Sequence, residues 1–305
     1  MNASMKDSAA LNQKFGIAGH LSFHETDGLM VAEIDNLHAK ASICLQGAHL
    51  MNWAPHGEPS VIWMSAAAQL APGKSIRGGV PVCWPWFGPH ATQASFPGHG
   101  YARTVLWEVI ATKALADNGT WIALRLVPTE ATRAQWPHAC EVVLQIAVGA
   151  SLDMDLGTLN RDAQPITIGA ALHTYFAVSD IGEVLVHGLE GATYIDKVDG
   201  GSQKRQIGPV VITQEVDRIY RNTTADCVIE DPAWQRRIRI AKRGSHSTVV
   251  WNPWIAKAEK MGDLGENGHR KMLCVESTNA AADVVSIAPN QEHHLWVRYT
   301  VEAKK

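Results

Sequence analysis

Apolar and polar positions alternate most cleanly near the C-terminal end of the chain. In His293–Thr300, His294, Trp296 and Arg298 fall on one side and Leu295, Val297 and Tyr299 on the other. A period of two marks a strand with one face buried. Ser151–Leu159 alternates the same way, and Cys140–Val148 is a compact β-prone run. Thr104–Ile110 and Trp121–Val127 flank Ala116-Asp117-Asn118-Gly119, a strong turn signal. The pair reads as a hairpin, with a helical stretch near residues 111–116 as the alternative. Further extended runs are Val31–Leu37, Ala41–Leu45, Val61–Met64, the long Pro165–Val178, Glu183–Val186 and Val210–Val216. Asp226–Glu230, Arg236–Ile240, Ser247–Trp251, Met272–Val275 and Asp283–Ile287 continue the series. Arg236, Arg237 and Arg239 read mainly as a solvated strand surface. Asn252-Pro253-Trp254 opens a short helix through Met261, with Asn252 capping and Pro253 in the first turn.

Short strands dominate, and no strand–helix–strand rhythm is present, which disfavours a doubly wound fold. No internal repeat or low-complexity linker divides the chain. The expected architecture is all-β: one large antiparallel β-sandwich with few short helices. Residues 1–14 are polar and read as a flexible N-terminal segment, leaving residues 15–305 as a single domain.

Composition narrows the partners. The 305 residues carry 27 Lys and Arg against 30 Asp and Glu, a formal charge of −3. That balance disfavours nucleic acid or a membrane surface as the main partner. No apolar run is long enough to span a bilayer, and the N-terminal residues lack the apolar region of a signal peptide. Cys44, Cys83, Cys140, Cys227 and Cys274 are scattered, odd in number and without C-x-x-C spacing. They read as free thiols in a reducing compartment, the cytoplasm.

The densest chemistry lies in Arg77-Gly78-Gly79-Val80-Pro81-Val82-Cys83-Trp84-Pro85-Trp86-Phe87-Gly88-Pro89-His90, followed by His99-Gly100-Tyr101-Ala102-Arg103. Glycine and proline make this stretch irregular yet constrained. An aromatic wall of Trp84 and Trp86 beside Arg77 and Arg103 suits a polar ligand with an apolar face and an anionic tail, such as a sugar phosphate. A packed crossover loop whose tryptophans fill core is the alternative. His173 is a candidate for proton transfer near neutral pH, and Glu276, ending an apolar run, for a base in a cleft. Each taken alone is equally a structural residue. Asp153, Asp155 and Gly157 lack the full spacing of a calcium loop, and an exposed strand or hairpin edge fits them better. Nucleotide-loop and zinc-protease motifs are missing, and the adjacent His293 and His294 point to opposite faces of a strand. No metal is expected.

In motif order, the Arg77–Phe87 stretch, His99–Arg103, Leu172-His173-Thr174-Tyr175-Phe176, Asp217-Arg218-Ile219-Tyr220, Val250-Trp251-Asn252-Pro253-Trp254 and Cys274-Val275-Glu276 resemble the glucose-6-phosphate 1-epimerase (hexose-6-phosphate mutarotase) family, within the aldose 1-epimerase superfamily. The resemblance spans roughly residues 15–300. It implies a galactose mutarotase-like supersandwich that interconverts the α and β anomers of a hexose 6-phosphate without a cofactor; a monomer is expected. By motif it implies His173 as general acid and Glu276 as general base. Arg77 and Arg103 would bind the phosphate, His99 a sugar hydroxyl or ring side, and Asp196 sugar hydroxyls. Ser277 stands where many members of the family have proline. Two other readings stay open on the same residues: a non-catalytic carbohydrate-binding protein, and a mutarotase for unphosphorylated aldoses.

Overall fold

Strand alternation becomes burial alternation in the strand Ser151–Asn160, where every second residue from Leu152 to Asn160 is buried. A computed structural model describes residues 7–303. This strand is no edge: it pairs with Cys140–Val148 on one side and Glu292–Ala303 on the other. Its outward carboxylates meet cross-strand partners, Asp153 with Arg298 at 2.9 Å and Asp155 with His294 at 2.9 Å. These strands belong to an eight-stranded antiparallel sheet. Its order runs Leu185–His187, Cys227–Asp231, Arg236–Arg243, Glu292–Ala303, Ser151–Asn160, Cys140–Val148, Thr120–Leu126, Trp107–Ala114. The last two form the expected hairpin around Asn118-Gly119, with strand rather than helix as far as Ala114.

A second eight-stranded sheet faces it. The order is Ser202–Arg205, Thr193–Asp196, Val216–Arg221, Ser247–Asn252, Met272–Asn279, Ala170–Leu172, Val82–Cys83, with Tyr175–Ala177 also on Met272–Asn279. Val250, Leu273 and Val275 of this sheet share one core with Ile238, Leu295, Val297 and Tyr299 of the first. A four-stranded meander, Leu21–Thr26, Leu29–Asp35, Ala39–Cys44 and His49–Pro55, adds Phe23, Ile34, Ile43 and Trp53 to that core. The architecture is therefore the expected β-sandwich, with antiparallel ladders throughout the named strands.

One feature positions everything that follows. The second sheet is covered on its outer face as well. There Tyr175, Ile219, Val249, Trp251 and Cys274 form a separate cluster under Ala258 of the helix Trp254–Met261 and Leu264 beyond it. Ser247–Asn252 and Met272–Asn279 are consequently buried at every position. A strand buried on both faces reads as a continuous apolar run rather than an alternating one.

Four expectations change. Within the N-terminal segment, residues 1–6 lie outside the described residues, but Ser8–Phe15 is a helix capped by the Asp7 side chain. Asn12 ties it down, accepting from Phe23 N and donating to Phe23 O at 2.7 Å each, and Leu11 is buried. Val61–Met64 makes only isolated bridges, Ile62 to Phe176 and Met64 to Gly78. The Pro165–Val178 run divides into Ile166–Ile168, Ala170–Leu172 and Tyr175–Ala177, broken at Gly169 and at His173-Thr174. Val210–Val216 is mostly irregular, and its strand begins at Val216.

Arg236 is also not a solvated residue. It is 1% exposed and donates to the carbonyls of Pro59, Ser60 and Ala177. Its guanidinium fork gathers backbone acceptors that irregular chain leaves unpaired. Arg236→Ala is expected to destabilise the fold by roughly 1–3 kcal/mol for each carbonyl left dry. Chemical denaturation measures this; a midpoint unchanged from wild type would refute the bracing role.

Candidate active site

The strand Met272–Asn279 carries Glu276 into the covered face of the second sheet. Opposite it, Leu172 pairs with Ser277 and Tyr175 with Cys274, in one unbroken register. His173 therefore falls across from Glu276. The ladder opens at that point because His173 N donates to Pro81 O instead, at 3.0 Å. His173 Nε2 lies 3.3 Å from Glu276 Oε1. Glu276 is thus a mid-strand residue rather than the end of a run, and its side chain is 1% exposed against 12% for His173. Glu276 Oε2 and His173 Nδ1 are buried without a hydrogen-bond partner among the described residues.

Burial governs the protons here. Desolvation, reinforced by Asp217, raises Glu276 well above the usual 4.5 and favours its neutral acid. Desolvation, with His99, Arg103 and Arg77 nearby, lowers His173 well below 6.5. Both groups are therefore held in their neutral forms, with the proton on the carboxyl group.

The aromatic surroundings fix the imidazole. His173 stacks on Tyr175 at 5.1 Å between centroids and 15° between planes. Trp251 meets it edge-on at 6.0 Å, and Trp63 stacks on the other side of Tyr175 at 5.9 Å. The Tyr175 hydroxyl accepts from Arg77 Nη1 at 2.8 Å, while Asp263 accepts from Arg77 Nε at 3.0 Å. Arg103 is held through Nη2, which donates to Gly98 O at 2.8 Å. Both guanidinium groups act on His173 and on His99, so both ends of the loop converge on the pair.

His99 sits in the left-handed region at φ 66°. Its ring meets His173 edge-on at 5.7 Å. Desolvation, with Arg103 and Arg77, lowers it to about 4, so it is neutral at neutral pH. Gly88 N–H donates to its Nδ1 at 3.3 Å, which leaves the proton on Nε2 as a donor toward a ligand oxygen. The loop needs glycine where it approaches other backbone. At Gly79 a Cβ would stand 2.5 Å from Leu50 O, and at Gly100 2.0 Å from Trp84 O.

Trp84 and Asp196 lie away from the pair, and Trp86 is engaged within the loop. Trp84 is 0% exposed and packs edge-on against Tyr101 and Trp136, so it fills core and offers no wall to a ligand. Trp86 stacks on Phe96, meets His90 and Tyr101, and donates its N–H to Pro97 O; it braces the loop. Asp196 lies on the other face of the sheet. Register aligns it with Arg218, Val250 and Val275, whereas Glu276 aligns with Val249, Ile219 and Ile195. Its carboxylate accepts from Lys204 Nζ at 2.8 Å and from Val198 N at 3.1 Å.

Asp217 is the carboxylate on the Glu276 face. It pairs with Trp251 across the ladder and is half-buried, and desolvation raises its proton affinity against the pull of Lys257 and Lys197. The motif Asp217-Arg218-Ile219-Tyr220 was the available signal for it. Tyr175 and Trp251 lie inside motifs as well, but Asp263 sits in a loop with no local pattern. Cys274 lies beside the pair: ligand atoms of His173, Cys274 and Glu276 all lie within 4.8 Å of one another. The larger surface hollows, about 760 Å³ beside His20 and Asp35 and about 590 Å³ beside Glu259 and His269, lie elsewhere.

Comparison with known proteins finds similarity along most of the chain. The aldose 1-epimerase family matches residues 30–300. A Salmonella typhimurium protein named "Putative glucose-6-phosphate 1-epimerase" is 38% identical over 263 residues, covering 86% of this chain and 87% of its own length. An Escherichia coli protein of the same name is 37% identical over 276 residues, covering 90% and 91%. A solved Salmonella typhimurium structure described as a "putative mutarotase" superposes with a TM-score of 0.87 at 35% identity, covering 93% of this chain and 94% of that one.

NMR titration of the histidine ring protons checks the electrostatics of the ligand-free site. His99 is expected to titrate near pH 4 and His173 well below 6.5. A His173 inflection at or above 6.5 would contradict the desolvated pair.

Proposed function

The chain belongs to the aldose 1-epimerase family, and from that premise we propose that it is a hexose-6-phosphate mutarotase whose acid–base pair is His173 and Glu276. The observation that carries this reading is the 3.3 Å approach of an imidazole to a buried carboxyl group, with two arginines acting on the imidazole. Anomer exchange moves protons on two oxygens bonded to the same carbon. An acid and a base that nearly touch each other suit that geometry.

In the closed ring, Glu276 as carboxylate takes the proton from O1–H, and His173 as imidazolium gives one to the ring oxygen. The C1–O5 bond breaks, and the O1–H pair of electrons forms the aldehyde. Rotation about C1–C2 turns the other carbonyl face toward O5. Reversal of the transfers closes the ring as the opposite anomer. The pair carries one proton throughout, on His173 beside the closed ring and on Glu276 beside the open chain. Burial in the ligand-free site favours the two neutral forms, the state complementary to the open chain.

The phosphate then has two tasks. It anchors the remote end on Arg77 and Arg103 while C1 turns. It also neutralises two positive groups that oppose an imidazolium at His173, which raises the acid's proton affinity when substrate is present. The same neutralisation withdraws Arg103's support from the Glu276 carboxylate, so the shared proton stays within the pair. In this reading His99 Nε2–H serves as donor and the Asp217 carboxylate as acceptor for sugar hydroxyls.

Magnetisation-exchange NMR on glucose 6-phosphate, mannose 6-phosphate and free glucose tests the reading. His173→Asn and Glu276→Gln are each expected to slow exchange by about 10²-fold or more. Near-normal exchange in either variant removes that residue from the mechanism. Arg77→Ala and Arg103→Ala are expected to weaken use of 6-phosphates by about 1.5–3 kcal/mol each, while exchange of free glucose changes little. Equal losses on both sugars would remove the phosphate assignment, and no acceleration of any sugar would leave the fold as a binding protein.

A further inference from the structure

Cys274 takes no part in ring opening, yet it borders the pair that does. It lies two residues before Glu276 on the same face of one strand, and across the ladder from Tyr175. It is fully buried. A thiol, an imidazole nitrogen and a carboxylate oxygen here all fall within 4.8 Å of one another. Glu276 Oε2 is buried and unpartnered, and His173 Nε2 is 3.3 Å from the other carboxylate oxygen. Donors of these three types in one cluster match a particular class of ligand. A thiolate selects borderline and soft cations and disfavours magnesium and calcium. Two anionic donors and one neutral imidazole balance a divalent charge. Bonds of about 2.0–2.3 Å to a tetrahedral zinc bring ligand atoms to roughly 3.3–3.8 Å of each other, so the trio needs to close by only about 1 Å. Three protein donors leave a fourth position for water.

We propose that His173, Cys274 and Glu276 form a binding site for a thiophilic divalent cation of the zinc and cadmium class, and that its occupation switches off the acid–base pair. Binding exchanges the Cys274 thiol proton, and any proton on Glu276, for bonds to the metal, and those protons leave to solvent; nothing is oxidised or reduced. The imidazole lone pair and the carboxylate then point at the cation and are withdrawn from the sugar. The inhibitory half of this inference rests on the mutarotase reading, whereas the binding half stands without it.

The test uses the full-length reduced protein. Titration calorimetry with zinc chloride, and with cadmium chloride while the ultraviolet cadmium–thiolate band is followed, is expected to give one tight cation per chain. Exchange of glucose 6-phosphate anomers should fall in step with occupancy and return on chelation, and magnesium or calcium should do neither. Cys274→Ser should keep the metal-free exchange rate and lose the cadmium band. It should also raise the half-inhibiting zinc concentration by roughly 10- to 100-fold or more, since even outer partners of a ligand matter that much. Zinc-edge X-ray absorption on the wild-type protein, with one sulfur and the rest nitrogen or oxygen, tests the site without any variant. No tight binding, a different sulfur count, unaltered inhibition of Cys274→Ser, or stimulation by zinc overturns the proposal. A protein that binds zinc through one sulfur but exchanges no anomers when metal-free refutes the mutarotase reading and upholds the site.

Discussion

A carboxyl group enclosed on both sides of a sheet sets the terms for the rest of this molecule. Glu276 occupies a strand buried at all eight positions, and no Lys or Arg of the described residues pairs with it. A lone carboxylate in such a place is strongly disfavoured, so the group keeps its proton or trades it with an immediate neighbour. His173 is that neighbour, brought there by register rather than by sequence proximity. The enclosure depends in turn on the outer cover: Trp251 and Tyr175 against the sheet, the helix Trp254–Met261 and Leu264 above. Opening that cover would let water reach both groups and return them to ordinary titration. Fold and reactivity are therefore one problem here, because the sandwich core makes the floor and the outer cluster keeps it dry.

Arg77 is tied to this floor through stacked rings. Arg77 bonds the Tyr175 hydroxyl, Tyr175 lies flat against His173, and Trp63 backs Tyr175. A group that binds Arg77 thus presses on a column ending at the imidazole. Asp263 occupies Arg77 Nε and leaves Nη2 without a hydrogen bond among the described residues, so the guanidinium is oriented before any ligand arrives. Such preorganisation lowers the ordering entropy of a long side chain at the moment of binding.

Much of this was legible in the chain itself, for physical reasons that can be named. Alternation showed Ser151–Asn160 and Glu292–Ala303 because one face of each meets water. It was silent for Met272–Asn279, where both faces are covered, and Glu276 there read as the end of an apolar run. Arg236 misled because charge alone does not reveal backbone acceptors at Pro59, Ser60 and Ala177, which only the folded chain assembles. Trp84 misled in the opposite sense: a tryptophan beside glycine and proline looks like a binding wall, yet its ring is enclosed by Tyr101 and Trp136. Asp196 and Asp217 differ by parity. On a sheet, the face a side chain takes is set by register counted across several strands, and an acidic residue near the right motif has even odds of facing the core. Family resemblance located the motifs, and pairing decided which of the two carboxylates shares the face of Glu276.

The separation within the pair also argues for a type of chemistry. Glycoside hydrolases of the usual kind hold their two carboxyl groups roughly 5–9.5 Å apart, because a nucleophile or a water attacks one face of the sugar while the acid serves the other. At 3.3 Å, His173 and Glu276 leave no space for water between them. They are suited to oxygens on a single carbon, approached from one side, with the proton lost at one oxygen regained at the other. A reaction of that kind needs no external nucleophile and no net proton exchange with solvent. It does need the sugar to stay in place while its C1–C2 bond turns. The aldehyde alone offers little to hold, and an anchor on the far end of the sugar meets that need.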